Sequence, residues 1–188
     1  VHYCSAMEGF SPPKNIYCHI SGTDLIRHSD GNYYILEDNL RSPSGVSYVL
    51  INRIAMTRVI PKIFNDTPVA AVSDYSEQLL KSLWGVANKP MGEIFCALLT
   101  PGAYNSAYFE HTYLAQKMGI ELVEGRDLFV ENDKVYINTI GRKIQVDVLY
   151  RRIDDDYLDP EVFRSDSMLG VPGLMRAYLK GNITIVNA

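Results

Sequence analysis

Two carboxylates and a carboxamide, Asp24, Glu37 and Asn39, are spaced so that one turn would bring them together. Between them lies His28-Ser29-Asp30-Gly31-Asn32. Asp-Gly is a strong hairpin signal, because a type I′ turn needs positive φ at both central residues. With Asp30 and Gly31 as the central pair, Ser29 faces Asn32, Arg27 faces Tyr34 and Asp24 faces Glu37. Side chains alternate along a strand, so Asn39 shares a face with Glu37 while Asp38 points away. Directly opposed carboxylates destabilise a sheet. A hard divalent cation such as magnesium would offset that cost, with Asn39 adding a neutral oxygen. A solvated hairpin end, its acids facing water or paired with Arg27 or Arg41, explains the same residues equally well.

Other residues could meet a substrate. Thr100-Pro101-Gly102 leads from a strand-like run into a helix-like one, with Asn105 or Ser106 as its cap. N–H groups at such a start suit an anion, for instance a substrate carboxylate; a plain turn is the alternative. One glycine is not a GxGxxG fingerprint, so dinucleotide binding has no support. Glu110 and His111 fall early in that helix, where an exposed histidine is more often structural. Arg151 and Arg152 end a strand and run into Asp154, Asp155 and Asp156. They suit a bound carboxylate or phosphate, or a local salt network. The three aspartates read as a solvated turn, because consecutive strand residues cannot all face one ion.

The elements that must position these residues fall into three regions. Residues 1–50 hold an antiparallel pair, 16–27 and 33–39. Residues 46–88 read as helical: Val46, Val49, Leu50, Ile54, Val59 and Ile63 recur at helical spacing, and Pro61 bends or ends the run. A second helix runs from an Asp74 cap to Leu83 or Trp84, stopped by Gly85. Beyond residue 92, strands at 93–99, 120–124 and 144–150 alternate with helices at 105–118 and 171–179. A small hairpin pairs 128–130 with 135–138, and a strand closes the chain from Ile183. The fold class is α/β, with a mainly parallel sheet and helices on its faces.

Composition is that of a globular protein of 188 residues, 47% hydrophobic and 21% charged. A net charge of −4 and the lack of a Lys/Arg stripe exclude nucleic acid as an expected partner. No apolar run is long enough for a membrane span. Cys4, Cys18 and Cys96 have no metal-ligand spacing and read as buried free thiols in a reducing compartment. With no span and no signal segment, a cytoplasmic location follows by default. The chain opens on Val1 and ends on a strand-like run, which reads as a piece of a longer protein.

The stretch Asp24-Leu25-Ile26-Arg27, Asp30-Gly31, Tyr34-Ile35-Leu36-Glu37-Asp38-Asn39 resembles the magnesium-binding end of ATP-grasp ligases. Those place an Asp on one strand and Glu-x-Asn on the next. The thirteen-position separation of Asp24 and Glu37 is similar to that of D-alanine–D-alanine ligases. Gly22 stands where those ligases carry an Arg, and Leu40-Arg41 where they carry Pro-Gly. The run Leu36–Tyr48, with Leu99–His111, Glu121–Leu128 and Tyr150–Asp156, closely resembles circularly permuted ATP-grasp proteins, which are bacterial and related to glutathionylspermidine synthase.

The resemblance implies that residues 1–50 are the C-terminal metal-binding part of an ATP-grasp lobe. It makes 51–91 a helical connector and 92–188 a Rossmann-like pre-ATP-grasp domain. It implies ATP and Mg²⁺ as cofactors, both held by Asp24, Glu37 and Asn39, and a catalytic Arg41 reaching a phosphate or acyl phosphate. Ser42, Ser44 and Gly45 would offer N–H groups nearby. Thr100, Gly102, Asn105, Ser106, Arg151 and Arg152 would bind substrate. The activity implied is ATP-dependent joining of a small-molecule carboxylate to an amine. The adenine-holding lobe is not visible, so this stretch alone is expected to be inactive and to pair with itself through surface the rest would cover. A scaffold that kept the fold and lost turnover is the rival reading.

Overall fold

The computed structural model describes residues 4–187. Val1 and Ala188, on which the reading of the chain ends drew, lie outside them.

A four-stranded sheet carries the molecule, in the order β4 (Glu121–Val123), β3 (Cys96–Leu99), β8 (Val148–Arg151), β9 (Thr184–Val186). All three pairings are parallel. Strands buried on both faces are continuously apolar, as Cys96-Ala97-Leu98-Leu99 is. Their alternation divides the core. Cys96, Leu98, Val148 and Tyr150 pack with Leu79, Leu83, Leu114 and Met118 from helices α3 (Tyr75–Gly85) and α4 (Tyr108–Met118). Ala97, Leu99, Leu149 and Ile185 face the other way, onto α5 (Leu174–Leu179) and an antiparallel sheet of β5 (Leu128–Glu131), β6 (Lys134–Thr139) and β7 (Arg142–Gln145). The α/β class and the parallel sheet are as the sequence indicates.

The single strand expected over 144–150 is two. Arg142–Gln145 joins the antiparallel sheet and Val148–Arg151 the parallel one. Periodicity cannot show a strand changing sheets, because both halves are half or fully apolar. The β5–β6 turn forms at Asn132 and Asp133, both with positive φ. The helical region also divides as its proline demands: α1 (Val46–Val59) ends and α2 (Pro61–Asp66) restarts with Pro61 in its first turn.

The hairpin consists of β1 (Gly22–Arg27) and β2 (Tyr33–Asn39). Only 22–27 of the expected 16–27 is strand; Ile16 and Ile20 pack on the core beside α3 instead. Gly31 has φ +85°, but the loop is one residue longer than a type I′ turn. The His28 N–H bonds the Asn32 carbonyl at 2.9 Å, and Arg27 pairs with Tyr33 rather than Tyr34. A bulge between Asp24 and Leu25 then shifts the register back by one, so Asp24 still faces Glu37.

Leu98 is fully buried between β-sheet and α4. Leu98→Ala is expected to lower the chain's stability by about 2–5 kcal/mol in urea unfolding, through lost burial and the cavity left behind.

Candidate functional site

Asp24 and Asn39 line a cleft of about 620 Å³ with Gly22, Asp38, Arg41, Ser42, Ser44 and Asp154. Glu37 sits opposite Asp24 across the ladder, and the Asn39 amide lies 3.4 Å from a Glu37 oxygen. Asp38 accepts from the Thr23 hydroxyl at 2.6 Å and also lines the cleft. Neither acid pairs with Arg27 or Arg41, and both are exposed, so the water-facing form of the alternative stands beside the cation reading. Arg27 lies over the Tyr33 ring, and Arg41 lies 3.9 Å from Asp155. Two exposed acids facing each other with an adjacent carboxamide fit a hard cation that also takes phosphate oxygens and water. Among the described residues no three His, Cys, Asp or Glu side chains cluster as a complete metal cage. Such a cation would therefore need oxygens from a second ligand.

The hairpin is exposed along nearly its whole length, so its root fixes its position. Two adjacent arginines at the end of β8 hold that root. Arg151 is 1% exposed and spends every nitrogen internally. Nε donates to the Asn187 carbonyl at 2.8 Å, one terminal nitrogen to the Ile153 carbonyl, and the other pairs with Asp155 at 2.6 Å. The Asn187 side chain in turn accepts from the His19 and Ile20 N–H groups and donates to the Ile20 and Leu40 carbonyls. Arg151 is therefore a clamp on the hairpin root, not a free substrate ligand. The salt-network alternative describes it, and Asp155 links it to Arg41.

Arg152 faces the other way. It pairs with Glu110 of α4 at 2.8 Å and donates to the Tyr150 hydroxyl and the Pro43 carbonyl. The second Glu110 oxygen accepts from the N–H groups of Gly45 and Ser47 and from the Ser47 hydroxyl. These are donors at the start of α1, which its own N-cap, Gly45, has no side chain to satisfy. A buried carboxylate from another helix thus caps α1. The sequence places Glu110 early in a helix without assigning it a role; nothing local signals a cap supplied from 65 residues away.

The Thr100–Gly102 turn is built from inside. The Thr100 N–H donates to the Val123 carbonyl, and its hydroxyl takes the Gly102 N–H and lies 2.8 Å from His111 Nδ1. Gly102 has φ +100°, and a Cβ there would press on the Glu124 carboxylate. Neither an Asn105 nor a Ser106 cap forms in the expected form. The helix begins at Tyr108, and Asn105 Oδ1 instead takes the Ala107 N–H. Asn105 lines a second cleft of about 390 Å³ with Ser42, Ser44, Pro101, His111, Arg152 and Asp154. Ser106 is exposed and Thr100 lies behind His111, so neither lines this cleft. His111 is buried, not the exposed helical histidine expected. Burial and the Arg152 charge push its pKa down to about 4.

An acidic hairpin is clamped to a parallel-sheet unit, and two clefts share a wall. The chain belongs to the circularly permuted ATP-grasp type 2 family, whose model matches residues 1–188. It is 51% identical over 96% of its length to an uncharacterized protein of Synechocystis sp., of which it covers 37%. It is 51% identical over its whole length to an uncharacterized protein of Mycobacterium tuberculosis, of which it covers 34%. It is 40% identical over 89% of its length to a "Putative glutamate–cysteine ligase 2-3" of Frankia alni, covering 20% of that protein. The chain thus spans about a third of the length of its more similar curated relatives. No helix among the described residues is long and apolar enough to cross a membrane.

Removing one partner of the Glu110–Arg152 pair leaves a buried charge uncompensated. Glu110→Gln and Arg152→Met are each expected to cost about 3–5 kcal/mol in urea unfolding, and the double variant Glu110→Gln/Arg152→Met clearly less than their sum. Because the folded protein keeps His111 neutral where the unfolded chain protonates it, stability is expected to fall as pH drops from about 6.5 to about 4. His111→Gln should flatten that interval in a pH series of melts.

Proposed function

We propose that the full-length protein is an ATP-dependent carboxylate–amine ligase, and that Asp24, Glu37 and Asn39 hold its magnesium against the nucleotide phosphates. The observation that carries the reading is the Asp24–Glu37 pair, two facing acids with Asn39 alongside. Asp24 and Asn39 line a cleft that Arg41 also lines, and Glu37 stands next to them outside that lining. Bound there, the cation would neutralise phosphate charge and align the transfer. Arg41 lies on the same wall and would meet a transferring phosphoryl group. A carboxylate oxygen attacks the γ-phosphorus and ADP leaves; an amine then attacks the acyl carbon, and phosphate departs with one carboxylate oxygen. Family membership and the ligase-named Frankia relative support this class of activity.

The run Leu36–Tyr48 supports a nearer kinship with glutathionylspermidine synthase-like proteins. The three cysteines are free, but only Cys96 is buried as expected, while Cys4 and Cys18 are exposed; free thiols suit a cytoplasmic location. Residues 1–50, 51–91 and 92–188 would be the metal-binding end of the ATP-grasp lobe, the connector and the pre-ATP-grasp domain. Asn105 and Arg152 line the second cleft and would meet the substrate there, with Gly102 shaping the turn behind them.

In calorimetric titration of the full-length protein with magnesium and ATP, Asp24→Asn and Glu37→Gln are each expected to weaken binding about tenfold or more, the scale of one lost charged contact. Unchanged affinity in both variants would remove the hairpin from nucleotide binding and leave its acids as solvated surface.

A further inference from the structure

The second cleft presents mostly donors. The Thr100 hydroxyl accepts from the Gly102 N–H and has no acceptor other than His111 Nδ1 among the described residues. Assigned from this network, Thr100 donates its hydrogen to Nδ1, and His111 Nε2 carries the imidazole hydrogen. Asn105 Oδ1 is committed to the Ala107 N–H, so its amide hydrogens are what it can offer. Arg152, with its side chain 2% exposed, has both terminal nitrogens bonded, yet its Nε–H has no partner, and neither has the buried Ser42 hydroxyl. Buried donors without partners are rare in folded proteins. Glu110 already balances the Arg152 charge, so attraction here comes from oriented donors and not from net charge. Asp154 is the one acid among the lining residues, and the larger cleft shares it along with Ser42 and Ser44.

We propose that this cleft is an anion subsite, in which His111 Nε2–H, the Asn105 amide and the Arg152 Nε–H side of the wall hold a second carboxylate of a dicarboxylate substrate. The proposal rests on the ligase reading for the first carboxylate, which reacts at the neighbouring nucleotide corner across the shared Ser42–Ser44–Asp154 wall. His111 is then a specificity-determining residue, with its tautomer fixed by Thr100.

The test uses the full-length protein with glutarate and pentanoate, acids of equal length that differ by one carboxylate. In calorimetry without nucleotide, glutarate is expected to bind tenfold or more tightly than pentanoate. His111→Leu should abolish the difference, and His111→Gln, which keeps an N–H donor at similar reach, should restore most of it. In phosphate release with ATP, magnesium and an amine, His111→Leu should raise KM for glutarate at least tenfold, with a far smaller change in kcat. Equal binding of the two acids by the wild type, or equal effects of His111→Leu on both, overturns the subsite. It would then hold water at the Arg152 and Ser42 donors. Selective glutarate binding with no response to ATP upholds the subsite and counts only against the ligase reading.

Discussion

The buried Glu110–Arg152 pair is the contact on which the relation of the hairpin to the parallel sheet depends. A lone charge at either position would be costly to bury, and the pair is tolerated because almost every lone pair and hydrogen around it is used. One Glu110 oxygen caps α1, the other meets Arg152, and Arg152 reaches on to Pro43. The segment from Leu40 to Ser47, which joins β2 to α1, is thereby fixed to α4 and β8. Arg151, one residue earlier, does the same for the hairpin root through Asn187. Successive residues at a strand end point to opposite sides, so two arginines in a row can clamp two segments at once.

That geometry gives the two clefts a common wall. Ser42, Ser44 and Asp154 border both. Reactants held on either side would be brought together without a bond between them, which is the entropic share of catalysis that a ligase draws on. The neutral, buried His111 is suited to binding and orientation. With a pKa of about 4 it is a poor base at neutral pH, because burial disfavours its charged form and protonation would also place a second cation beside Arg152.

Much of this was legible in the sequence. The parallel sheet followed from strand–helix alternation, and Pro61 and Gly31 marked the breaks they produce. The Asp24–Glu37 pairing was also legible, though through two compensating features: the turn is one residue longer than Asp-Gly suggests, and the bulge beside Asp24 restores the register. The roles of Arg151 and Glu110 were not legible. Their partners, Asn187 and Asp155 for the one, Gly45, Ser47 and Arg152 for the other, come together only when β8, α4 and the loop before α1 are packed. The split of 144–150 between two sheets was hidden for the same reason. The domain assignment and the chemistry of the hairpin rest on family kinship together with local geometry.

The central claim is that the hairpin cleft transfers a phosphoryl group to a carboxylate. Incubating the full-length protein with ATP, magnesium, an amine and carboxyl-¹⁸O-labelled acids, glutamate first among them, tests it directly. The account predicts that phosphate is released only when acid and amine are both present, and that it carries one ¹⁸O from the carboxylate. Phosphate that appears without the label, or no turnover with any acid by a protein that binds the nucleotide, would contradict it.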